Sequence, residues 1–460
     1  MIAAPPKDPA EIRFLFTGDI MLSRLVQFEV QKRKVWPWSN EIVELLRKAD
    51  WVGGNFEGAI GADSQCVSRP CFATPSSAVA ALKDGRFKAV TIENNHAGDL
   101  GAAGRDATRT AFQQAGLLAL DFDASPQFLR FGDVTVAIVA ITLVRAADGR
   151  VQEIPSIAVA QKLRLARQLA NIVVVSIHWG SELVDWPTDT QRADASWLVD
   201  HGADVILGHH PHVVQRPECI RGRPVFFSLG NHVFDQKYPE TKDGLIADCR
   251  IRGGRLQCGA IHTHTDPGTS FPQLGPEDEK ARVDLASCTA GLAPDLVVGG
   301  FAIRPEPWSP DQPQEGLILD GTRDNRVAWR SRRQRVVSLE VAKLEGPDKP
   351  PLLLTIERHA SPLDHEEGLR PYVYAIGSRG LIAKWRGSAL AWPLLDAVAE
   401  PDGTICALHR ADSFAAPDPE NRGTRTAAYR WNGFGFDGVG SAEAANRCAA
   451  VLSQGAGQEQ

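Results

Sequence analysis

Six segments in the first half of this chain each end in a short polar motif, and that repetition constrains the fold more than any other feature. Ile12–Phe16 leads into Thr17-Gly18-Asp19, and Trp51–Gly54 into Asn55-Phe56-Glu57-Gly58. Lys88–Ile92 leads into Glu93-Asn94-Asn95-His96, and Ile172–Ile177 into His178-Trp179-Gly180. Val205–Leu207 leads into Gly208-His209-His210-Pro211-His212, and Val225–Ser228 into Leu229-Gly230-Asn231-His232. Amphipathic helical patterns lie between them, at Ser39–Ala49, Gly104–Ala115, Ala158–Ala170 and Thr190–Asp200. Strands alternating with helices indicate a layered α/β core. Runs of Val and Ile without polar alternation, Val134–Val144 among them, indicate strands buried on both faces.

In a mostly parallel sheet the carboxyl ends of the strands share one edge, and ligands bind in the crevice there. The six motifs then bring Asp19, Glu57, several Asn and a set of His to one rim. Oxygen and imidazole donors in that mixture suit divalent transition metals such as Zn, Mn or Fe. One motif alone says little, since a lone Gly-Asp is usually a turn and a lone buried His usually a satisfied core residue. His209, His210 and His212 say more, because a His-x-His pair at a strand end presents two imidazoles together.

Beyond residue 250 Gly, Pro and Arg rise and helical periodicity fades. Arg304–Gly316 and Gly346–Pro351 read as loops, and short β segments follow from Leu352 to Phe436 (LLLTIE, YVYAIG, GLIAKW, TICALH, AAYRW). The expected division is a motif-bearing domain over 1–340 and a β-rich accessory domain over 341–460. Lys plus Arg number 50 against 56 Asp plus Glu, which leaves no basic footprint for nucleic acid. The longest apolar run, Val134–Val144, is too short to span a bilayer, which takes roughly 20 residues. The opening MIAAPPKDP has neither a basic nor an apolar leader region. A cytoplasmic location is expected, and with it eight free thiols, although Cys66 with Cys71 and Cys249 with Cys258 are near enough in sequence to pair in an oxidising compartment.

The series GDIML, NFEG, ENNH, HWGSE, GHHPHV and SLGNHVFD resembles the CapA/PgsA family, named for poly-γ-glutamate capsule synthesis, within the calcineurin-like metallophosphoesterase superfamily. The resemblance spans residues 12 to about 250. It implies a four-layer α/β sandwich of mixed sheets flanked by helices, with a β-rich C-terminal extension, holding one or two divalent ions (Mn, Zn, Fe or Ca). Position by position, it makes Asp19, Glu57, Asn95, His178, His210 and His212 the metal ligands and His96 the catalytic proton donor. His209, Glu182, Asn231 and His232 stand as supporting or substrate-facing residues. Three departures from the superfamily pattern are visible: Met21 replaces the imidazole of Asp-x-His, Glu57 replaces a bridging Asp, and His232 stands where an apolar residue is usual.

A divalent cation polarises a carbonyl or phosphoryl oxygen and makes water more acidic. The expected activity is therefore that of a metal-dependent hydrolase or related acid/base catalyst on a peptide, polyglutamate or cell-wall amide. Peptide epimerisation, phosphoester hydrolysis and a non-catalytic role in capsule assembly remain open alternatives. Trp36, Trp38, Trp179, Trp186 and Trp197 read first as packing residues and second as a grip on substrate. His262 and His264 in AIHTHTDP are expected to sit in a loop just after the core.

Overall fold

The computed structural model describes residues 11–275, 285, 288–309, 315–360, 367–388, 390, 392–412 and 423–455. Its contacts divide into two compact units, one of residues 1–125, 138–154 and 172–293, the other of 126–137, 155–171 and 294–460. The architecture is an α/β sandwich of mixed sheets followed by a strand-rich C-terminal region.

In the first unit the larger sheet runs, in spatial order, Pro272–Leu274, Arg255–Thr265, Asp243–Arg252, Ile12–Ile20, Trp51–Phe56, Ala89–Thr91 and Leu118–Leu120. Ile12–Ile20 is parallel to Trp51–Phe56 and antiparallel to Asp243–Arg252, and Asn231–Val233 joins its far end in parallel. In the second sheet Ile172–His178, Val205–His209 and Arg223–Phe226 are parallel neighbours. The carboxyl ends of the motif strands are thereby gathered on one side, as the alternation of strands and helices requires.

Several helices start where a hydroxyl side chain satisfies a first-turn amide. Ser39 caps Asn40–Arg47, and Thr188 with Gln191 forms a capping box on Asp189–Asp200. Ile42, Leu46 and Phe112 from Asn40–Arg47 and Gly101–Gln114 share one core cluster with Leu15, Val52, Phe56 and Val90 from the larger sheet. Each such side chain, fully buried, contributes about 1.5–3 kcal/mol. Two glycines permit backbone contacts that no side chain allows. A Cβ on Gly18 would stand 2.0 Å from the Gly230 carbonyl oxygen, and one on Gly208 would stand 1.9 Å from that of Phe227.

In the second unit an antiparallel sheet is built on Val336–Ala342, Leu352–Ala360, Glu367–Gly377, Leu394–Ala399, Thr404–Arg410 and Thr424–Trp431, with Gly380–Arg386 paired to Glu367–Gly377. All five β segments read from the sequence lie in these strands. The chain differs from expectation at Arg304–Gly316: Arg304–Pro307 completes the strand Phe301–Pro307, paired with Leu317–Arg323, while 310–314 lie outside the described residues. The helix Ala442–Gly455, which the sequence reading did not assign, follows these strands. No helix among the described residues is long and apolar enough to cross a membrane.

The expectation of eight free thiols is overturned. Cys66–Cys71, Cys219–Cys288, Cys249–Cys258 and Cys406–Cys448 are disulfides, with Cα separations of 6.2, 5.8, 4.0 and 4.9 Å. Cys249 and Cys258 face each other across an antiparallel pair, whereas the second and fourth bridges join residues 69 and 42 positions apart, a proximity that only the fold creates. Thiol titration of the denatured, unreduced protein should find essentially no free sulfhydryl; a count near eight would contradict the pairing. Replacing Cys406 and Cys448 by Ala should lower unfolding free energy in urea by about 2–5 kcal/mol.

Candidate metal centre

Asp19 lies inside the strand Ile12–Ile20, at register shifts toward both neighbouring strands. Such irregularities re-aim a side chain out of the alternating pattern. Its carboxylate is fully buried and accepts from Asn55 Nδ2 at 2.9 Å and from the His210 backbone amide at 3.2 Å. His209 Nδ1 and His212 Nδ1 stand 3.2 and 3.3 Å from its two oxygens. Glu57 follows Trp51–Phe56 and is equally buried; His212 Nε2 and His96 Nε2 lie 3.6 and 3.8 Å from its Oε1. His178 closes Ile172–His178, with Nε2 at 2.8 Å from Asn95 Oδ1 and its ring 4.8 Å from that of His210.

Ligand-type atoms of Asp19, Glu57 and His178 lie within 4.8 Å of one another, and so do those of Glu182, His210 and His212. His212 connects the two groups through Asp19 and Glu57, and its Nδ1 donates to Asn231 Oδ1 at 3.0 Å. His210 and His212 hold positive φ values of 98° and 59°, backbone conformations that cost an L-residue energy and gather at functional sites. Glu182 is exposed on the loop after His178, and the Leu183 amide donates to the Pro211 carbonyl at 2.9 Å to tie that loop to the His-x-His turn.

Charge in this space is mutually opposed. Burial disfavours ionised Asp19, yet His209 and His212 hold it well below the usual carboxylate range. For Glu57 burial prevails and pushes the carboxyl up to about 7. Burial also disfavours charge on His212, but Glu57 and Asp19 raise it to about 9. Burial and the neighbouring imidazoles lower His178, and lower His210 to about 4.

The donor set fits a divalent ion. Both oxygens of Glu57 and Nδ1 of His210 are buried without a hydrogen-bond partner. Native proteins rarely leave buried polar atoms unmatched, and a cation bound between them would satisfy them. Met21 gives no nitrogen; it is buried and takes a hydrogen bond from Ser23 Oγ at 3.0 Å.

His96 is positioned by a partner that sequence reasoning did not single out. Its Nδ1 is 2.9 Å from Asp99 Oδ2, and Asp99 also accepts from the Phe72 amide at 2.7 Å. Phe72 stacks on the imidazole at 3.8 Å between centroids. Asp99 was detectable only as an acid three residues after His96. Asn55 was likewise missed as a hub: Asn94 Nδ2 and Thr91 Oγ1 donate to its Oδ1 at 3.0 and 3.2 Å, and strand register places it beside Asp19.

Two histidine expectations turn out otherwise. His232 packs against Trp38, centroids 5.6 Å apart, and Phe87; both ring nitrogens lack partners and burial lowers it to about 3. His262 and His264 sit in the strand Arg255–Thr265, not a loop, at 3.3 and 2.8 Å from Asp243 Oδ1. Trp38 and Trp179 are buried and donate to the carbonyls of Ala81 and Phe227, as packing residues do.

The family described as "Bacterial capsule synthesis protein PGA_cap" matches residues 13–236, which contain every residue of this cluster. The chain is 31% identical over 270 residues to the PGA biosynthesis protein CapA of Bacillus subtilis (strain 168), covering 54% of this chain and 71% of that protein. It is 30% identical to the capsule biosynthesis protein CapA of Bacillus anthracis, covering 54% and 65%. A probable polyglutamine synthesis accessory protein of Mycobacterium tuberculosis is 27% identical, covering 44% and 60%. With its motifs in family order and more than two thirds of the Bacillus subtilis protein covered, the chain belongs to the CapA family of bacterial capsule synthesis proteins.

Proposed function

We propose that this CapA-family chain is a divalent-metal-dependent acid/base catalyst that acts on the amide bonds of a glutamyl polymer or a related peptide. The observation that carries the reading is the buried Glu57 carboxylate, unpartnered at both oxygens, facing His212, His96 and the Asp19–His178 group. Asp19, Glu57, Asn95, His178, His210 and His212 would hold the ion, which supplies Lewis acidity toward a carbonyl or phosphoryl oxygen. His96 presents Nε2 to the centre and delivers or removes the proton. Asp99 fixes the ring by its hydrogen bond to Nδ1, as carboxylates do for working imidazoles. Asn231 orients His212, Glu182 supplies a carboxylate at the rim, and His209 offsets the charge of Asp19.

The amide reading is preferred over phosphoester hydrolysis because the relatives are named for PGA biosynthesis and polyglutamine synthesis. The 1–340 region would carry the chemistry, with 341–460 as an accessory domain. Four disulfides favour an oxidising compartment over the cytoplasmic placement read from the sequence. A second reading, a non-catalytic assembly protein with a structural ion, draws support from Met21, which removes one imidazole from the site.

Metal analysis of the purified chain should give at least one divalent ion, reduced in Asp19→Ala and His210→Ala; near-zero content in the wild type would end the proposal. Protons on Glu57 and His212 compete with the ion, so affinity should rise with pH between about 6 and 9 and binding should release protons. Calorimetry in buffers of different ionisation enthalpy measures both; affinity that falls as pH rises would contradict the donor set. On an oligo-γ-glutamate substrate, Asp99→Asn should lower kcat about 10–100-fold at unchanged metal content. His96→Ala should abolish turnover, and full capsule-related function in that variant would promote the assembly reading.

A further inference from the structure

Beside the centre stands a cation with no role in holding it. Arg24 opens the helix Arg24–Arg33 in a left-handed backbone conformation, φ 51°, which a side chain rarely adopts without compensation. The compensation comes from Asp235, whose side chain is only 7% exposed. Its carboxylate takes Arg24 Nε at 3.0 Å, takes Nη2 as well, and accepts the Leu25 amide at 3.2 Å. This two-pronged grip fixes the guanidinium plane.

The plane is set against the site. Arg24 Cζ lies 4.7 Å from the centroid of Phe72, and Phe72 stacks on His96. Phe72 also meets Phe234 edge-on at 5.7 Å, and Phe234 lies 4.6 Å from the ring of His212. Arg24 is thus joined by aromatic rings to both His96 and His212. Its side chain stays 41% exposed, and Nη1 has no partner among the described residues. An arginine whose only purpose was the ion pair would gain little at such exposure. A guanidinium held rigid and partly exposed, one aromatic ring away from His96, is suited to a carboxylate, which it binds through paired N–H groups.

We propose that Arg24 is a substrate-binding residue that receives a side carboxylate of an acidic polyamide and so registers the chain with one of its amides over His96. The proposal rests on the acidic-polyamide reading above and names the residue that would make the site selective for charged chains. A polymer with a free carboxylate on every residue would offer Arg24 a partner at each step.

The test uses the purified full chain and a fluorescent γ-glutamyl decamer, followed by anisotropy. Arg24→Gln should weaken binding at least about tenfold, and Arg24→Lys should recover part of the loss. A decamer with its side carboxylates amidated should bind wild type and Arg24→Gln equally weakly. Lys32→Gln, farther along the same helix, should leave decamer binding unchanged. Metal content in Arg24→Gln should match wild type, which separates this proposal from failure of the metal reading. Equal binding of the acidic decamer by wild type and Arg24→Gln overturns the role of Arg24 alone; no binding by wild type overturns it together with the polyamide reading. If inorganic phosphate binds in an Arg24-dependent way and the decamer does not, the carboxylate assignment is wrong. Should Arg24→Gln fail to fold, wild type decides by itself: equal affinity for the acidic and amidated decamers refutes the proposal.

Discussion

Asp19 is one fully buried carboxylate held by groups from strands of two sheets, and the geometry of the whole centre follows from it. From its own sheet come Asn55 and the parallel register with Asn231; from the end of Val205–His209 and the turn after it come His209, the His210 amide and His212. An ionised carboxylate removed from water costs several kcal/mol unless charge and hydrogen bonds answer it. Here they do, and in doing so they draw strand ends from two sheets to one point. The close approaches at Gly18 and Gly208 are the backbone counterpart of that demand.

The same concentration of charge leaves the site incomplete on its own terms. Glu57 and His212 are pushed in directions that favour retained protons, while His178 and His210 are pushed toward neutrality. Acids and imidazoles in one dry space compete for a small number of protons. A divalent ion, as proposed, would resolve the competition, because every donor could then be deprotonated and still be matched. His96 stands apart from it, with a carboxylate of its own in Asp99 and an aromatic face against Phe72.

Much of this was visible in the linear chain. Asp19, Glu57, Asn95, His178, His210 and His212 each lie at a strand end or within four residues of one, and parallel strands bring their ends together whatever the loops between them do. What was not visible depended on register and on long-range closure. Asn55 becomes a hub only because it lies opposite Asp19 in the sheet. His232 alternates to the face opposite Asn231 and meets Trp38, which its motif gave no reason to expect. The Cys219–Cys288 and Cys406–Cys448 bridges join segments whose spacing in sequence carries no signal. Arg304–Pro307 looked like a loop for its prolines, yet it pairs along a sheet once Leu317–Arg323 is beside it.

Anomalous diffraction from crystals grown with manganese or zinc tests the central claim most directly. The account expects a strong peak enclosed by the Glu57 carboxylate, Asp19, His178 and His212. A difference map with no peak there, or with the ion on surface residues and ordered water bridging Glu57 to its neighbours, would contradict it.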